Sequence, residues 1–167
     1  MDTSKIDTEY FALEIGATWI ALNELFGNTA EGRAKLEEAR WLKGDLVFDE
    51  IQKQLNIPAG DPLTVGNAIA DYLRRVGSSD TQLHKISDNE MVYEMKQAVM
   101  QSWFPMFDAR HAQNPLRPLP AAALFRAAFK KLCNMKLDII TVSDEIRATT
   151  LKGKSGQLWR LSPITSK

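Results

Sequence analysis

Cysteine is nearly absent from this chain of 167 residues, which carries only Cys133. No internal disulfide can form, and a reducing compartment fits. Histidine is almost as scarce, limited to His84 and His111. There is no CxxC, HExxH or Glu-x-x-His pair, so zinc and carboxylate-bridged di-iron sites lack their usual ligands. No metal and no cofactor are expected. Were a haem bound, His84, His111 and Cys133 would be the candidate axial ligands. Neither sign of charge is in excess: Lys+Arg 21 balance Asp+Glu 21. Nucleic-acid binders ordinarily carry a basic surplus, so no such partner is expected. No apolar run reaches the roughly 18 residues that would suggest a bilayer span. The N-terminal MDTSKIDTEY lacks the basic start and apolar middle of a signal peptide. The expectation is a cytoplasmic protein without a membrane partner. A glycine-rich phosphate loop and a dinucleotide fingerprint are missing too.

What is present is an ordinary globular composition, 44% hydrophobic and 25% charged, at the length of one domain. We read residues 1–167 as a single domain, with a helical half over 7–76 and a hairpin, helix and meander over 82–161. Tyr10 to Phe26 is apolar on every side of a helical wheel. That pattern predicts a central helix covered all round. Asp7 or Thr8 would cap it, and Gly27 would end it. A second helix, capped by Thr29, is predicted to run to Leu55 through Gly44. The segment from Asn56 to Gly60, with Pro58 inside it, ends that helix. Asp61 or Thr64 opens a third, which runs to Val76.

The period then changes. Gln82–Ser87 and Glu90–Gln97 read as a hairpin turned at Asp88-Asn89, with Met91, Tyr93 and Met95 on one face and Val92, Glu94 and Lys96 on the other. Pro120 suits a first helical position, and an alanine-rich helix follows. Lys136–Val142, apolar on both faces, is predicted to lie centrally in the sheet. Ile146–Leu151 and Leu158–Leu161 complete a meander. The fold class expected is α+β, with N-terminal helices and one later helix packed on an antiparallel sheet of about five strands.

A few side chains stand out for chemistry. Glu14 interrupts the apolar helix; buried, it would have a raised pKa and could act as an acid, whereas on a narrow exposed edge it is ordinary. Cys133 continues the Phe125–Phe129 strip and reads as a small buried hydrophobe rather than a nucleophile. His111 follows Arg110 near a proline-rich connector, where it could shuttle a proton or sit in solvent. Trp41 and Trp103, with Tyr93, are candidate walls of a pocket. Glu37, Trp41 and Asp45 share one helix face, either a polar site or a solvated surface.

Two stretches carry a family resemblance. One is Trp19, Glu24-Leu25-Phe26-Gly27, Ala30 and Arg40-Trp41; the other runs from Ile86 to Met95. In this order they resemble the L-2-amino-thiazoline-4-carboxylate hydrolase-like family, which is similar in organisation to 4-vinyl-reductase-like ligand-binding domains. The resemblance implies helices first, then a hairpin, a further helix and a terminal meander. Relatives carry cysteines after the hairpin and near the last strands; here Lys96-Gln97-Ala98-Val99 and Thr149-Thr150-Leu151 hold none. Cysteine-based chemistry is therefore not transferred.

These observations leave two readings. In the first, the protein is a small-molecule enzyme, a hydrolase or lyase on a small heterocyclic or carboxylate-bearing substrate. Glu14 or Glu94 would be the acid/base and His111 the proton shuttle. Arg110 would hold the carboxylate, with Trp41, Trp103 and Tyr93 around the substrate. In the second, it is a non-catalytic domain for small-ligand binding or assembly, pairing two copies as a homodimer through a strip such as Trp41 and Phe48.

Overall fold

A computed structural model describes residues 8–98, 120–140 and 156–165, with side chains over 13–95, 121–140 and 156–165. The described elements are α1 (Thr8–Phe26), α2 (Ala30–Leu55), α3 (Pro62–Arg75), β1 (Ser79–Lys85), β2 (Glu90–Ala98), α4 (Pro120–Cys133), β3 (Met135–Ile140) and β4 (Gln157–Pro163). The fold is α+β. Four antiparallel strands form one sheet in the order β1-β2-β4-β3. That is one strand fewer than the five expected, and the expected strand over 146–151 lies outside the described residues.

Local chemistry places most boundaries. Thr29 is extended and its side chain accepts the Gly32 N–H at 3.0 Å, satisfying a donor of the first turn of α2. Asn56 ends that helix at φ 47, left-handed backbone that asparagine tolerates. Asp61 accepts from the Leu63 and Thr64 N–H groups at 2.9 and 3.2 Å and caps α3. Pro120 opens α4 as expected. The strand β1 begins at Ser79, earlier than the predicted Gln82. Ser79 and Thr81 are buried there with their hydroxyls 3.2 Å apart, so two polar side chains that look like loop satisfy each other inside a strand. The pairing register skips Lys96, a bulge that lets β1 and β2 stay paired to their ends.

Alternation along the strands gives the sheet two unlike faces. Thr81, Leu83, Met91, Tyr93, Leu137, Trp159 and Leu161 are buried on one sheet face. They share a core with Val65 and Ile69 of α3, Phe125 and Phe129 of α4, and Phe48 and Ile51 of α2. The opposite sheet face holds a small second cluster, Val92 and Leu158 with Ile140 against them.

Two expectations are corrected. The helix buried almost all round is α4, not α1. In α4, Ala122 to Phe125 and Ala127 to Phe129 are all buried, because small alanines let neighbouring backbones come close. In α1, Leu13, Ile15, Leu25 and Phe26 are exposed. Among its described side chains only Gly16, Trp19, Ile20 and Asn23 are buried, a stripe at i, i+3, i+4 and i+7. Asn23 is accommodated there by donating to the Trp19 carbonyl at 3.0 Å. Likewise β3 is, with β1, an edge strand of the described sheet, paired to β4, and not central among the described strands. Its apolar outer face meets the small second cluster instead of flanking strands on both sides.

Candidate functional site

An open groove of about 860 Å³ lies between α2, α4, β3 and the chain after β4. It lies in the size range of small-molecule sites. Trp41, one of the expected pocket walls, lines it with Glu37, Glu38, Leu42 and Asp45 from α2. From α4 come Ala123, Arg126, Ala127 and Lys130. Met135, Lys136 and Ile164 close it.

Trp41 is the organising side chain of this groove. The Arg40 guanidinium carbon lies 4.4 Å and that of Arg126 lies 4.2 Å from its ring centroid. Arg40 is buried and pairs with Glu37 at 3.1 Å. Burial pulls its pKa below the ordinary arginine range; Glu37 opposes that shift, and the neighbouring Arg126 charge adds to it. Elsewhere on the α2–α4 seam, Lys131 reaches Asp49 at 2.5 Å and Lys130 reaches Asp45 at 3.9 Å. Arg126 has no hydrogen bond or ion pair among the described residues, and its only close contact of that kind is the indole. It went unnoticed in the sequence because an arginine within an alanine-rich helix looks solvated. Its spacing from Phe125 and Phe129 was the available signal, since it puts Arg126 just off the buried strip.

The other candidates are dispersed. Glu14 is exposed on α1 and does not line the groove. Glu94 is on the far sheet face, 8% exposed, with a carboxylate oxygen 3.2 Å from His84 Nε2 across the hairpin diagonal. Tyr93 is in the central core. Its ring stacks on Trp159 at 4.4 Å and meets Phe125 edge-on at 5.7 Å. Arg110, His111 and Trp103 lie outside the described residues. Among the described residues no group of three His, Cys, Asp or Glu side chains is placed to hold a metal ion. No described helix is long and apolar enough to cross a membrane. Burial pushes the Cys133 thiol up to about 11, with the Asp61 charge adding to the effect. It is a neutral thiol near pH 7 and a poor nucleophile.

Tyr93 Oη is buried without a hydrogen-bond partner among the described residues, and burial raises its pKa above the ordinary phenol range. A buried hydroxyl that makes no bond costs roughly 1–3 kcal/mol. Tyr93→Phe is therefore expected to raise stability by about 1 kcal/mol in urea denaturation. A loss of stability would mean that the hydroxyl is bonded after all.

The geometry defines a class: an α+β domain in which helices are layered on one face of a four-stranded antiparallel sheet. One solved structure of that shape is the trafficking protein particle complex subunit 3 from Naegleria fowleri, covalently bound to palmitic acid. The match has a TM-score of 0.63 and 13% identity, over 98% of this chain and 100% of that one, and establishes a shared fold. No protein-family model matches the chain, and no curated protein sequence matches it.

Proposed function

We propose that the chain is a non-catalytic assembly domain that pairs with a second copy of itself through exposed apolar side chains of α1 and α2. The observation that carries this is the distribution of exposed apolar side chains. Of the nine large ones described, Leu13, Ile15, Leu25, Phe26, Leu42, Leu46 and Val47 lie on these two helices, and only Val76 and Ile86 lie elsewhere. Concentrated apolar surface of this kind is what a partner covers. Charge is no obstacle, since the chain is formally neutral and copies would not repel. The strip first expected for pairing, Trp41 with Phe48, is replaced. Phe48 is 1% exposed and is spent inside the chain's own core. The fold likeness to a subunit of a multiprotein complex fits the same reading.

Sedimentation velocity tests it. The wild-type chain is expected at twice 18.8 kDa, and the double variant Leu25→Lys/Leu46→Lys at 18.8 kDa with unchanged far-UV circular dichroism. A wild-type protein that sediments as a monomer at about 100 μM, where even a weak dimer would be populated, would refute the pairing.

A further inference from the structure

Beyond self-association, the α2–α4 groove has features of a ligand site. Apart from the Glu38 carboxylate and Arg126, its lining charges are answered. Glu37 pairs with Arg40, Lys130 faces Asp45, and Lys136 reaches Asp138 at 2.9 Å. Arg126 is different. Its guanidinium rests on the Trp41 indole and finds no acidic partner among the described residues. Stacking restrains the plane of the guanidinium and leaves its N–H donors unspent, which is how arginine is prepared for a planar, two-oxygen acceptor. Beside it, Ala123, Ala127, Met135 and Ile164 supply apolar surface.

We infer that this groove binds a small organic carboxylate, with Arg126, held against Trp41, taking the carboxylate and the neighbouring apolar side chains taking a flat or aliphatic body. A monoanion suits the site better than a phosphate dianion. Glu38, a lining carboxylate with no cationic partner among the described residues, would repel the second charge. The indole orients Arg126 and the apolar side chains adjoin it, so the two halves of the ligand are read by neighbouring parts of one groove.

The probes are 3-phenylpropionate, its uncharged amide and 2-phenylethyl phosphate, titrated into the full chain by calorimetry. The Trp41 indole N–H resonance, assigned through Trp41→Phe, is followed in parallel. Saturable binding of the acid with movement of that resonance is expected. The amide should bind at least roughly tenfold more weakly, since it cannot answer the guanidinium charge. Arg126→Met should weaken the acid by a similar factor while leaving amide binding unchanged. Arg126→Lys, which keeps the charge and loses the fork, should fall between and serves if the methionine variant is misfolded. Equal binding of acid and amide, no saturable binding of the acid up to about 10 mM, or full affinity in the Arg126→Lys and Arg126→Met variants would overturn the assignment. Tighter binding of the phosphate than of the acid would overturn the choice of carboxylate.

Discussion

Trp159→Ala is expected to lower the unfolding free energy by about 3–5 kcal/mol, the range for deleting a large aromatic side chain from a packed core. Trp159 is completely buried on the helix-facing side of β4. Its ring stacks on Tyr93 with planes 13° apart, and it lies 5.2 Å from Phe125 and 6.5 Å from Phe129. The indole N–H donates to Gln157 Oε1 at 2.9 Å, so the polar atom is satisfied and the burial is uncompromised. Truncation would leave a void walled by a strand and a helix, neither free to collapse alone. Against a typical total of about 5–15 kcal/mol the loss is a large share, and a drop in melting temperature of roughly 10 °C should accompany it. Urea denaturation gives the figure directly. A loss under about 1 kcal/mol would mean that this aromatic cluster is not the centre of the core.

The second large effect is a sign test at Gly44→Ala. Helix propensity alone favours alanine by about 1 kcal/mol at an interior position. Packing predicts the reverse. A Cβ built on Gly44 would lie 2.4 Å from the Ala123 carbonyl oxygen and 2.8 Å from the Ala123 Cβ, well inside contact distance. The atoms it meets are mostly backbone, so no side chain can swing aside. Helices α2 and α4 would have to separate along the seam that holds Phe48 against the core, at a cost of about 2–3 kcal/mol. Gly60→Ala is the control. Nothing lies within 4 Å of a Cβ there, and a change within about 0.5 kcal/mol is expected. Equal or greater stability of Gly44→Ala would show that the close approach is relaxed in solution.

The same glycine illustrates how much was legible beforehand. In the sequence Gly44 is a weak point in a helix, to be tolerated or broken. The helix is continuous because glycine is needed for a neighbour that lies far away along the chain. For the candidate site, Trp41 was visible as a large aromatic on an otherwise polar stretch. Arg126 was not, because its contact with Trp41 exists only once α4 is laid on α2. Tyr93 was a candidate pocket wall; stacked on Trp159, it is spent inside the core instead.

By itself the sequence determined where most elements start and stop, and that they form helices first and an antiparallel sheet later. Those are local matters: an oxygen within reach of a free N–H, a proline without a donor, an asparagine in left-handed backbone, side chains alternating along a strand. Tertiary structure alone decided which helix is enclosed, which strands lie at the edges of the described sheet, and which charge is left unanswered beside an indole. Apolar content says that a surface prefers to leave water; it does not say which surface arrives to cover it. In α1 the bulky side chains outnumber the neighbours available, and in α4 the small ones admit neighbours from every side.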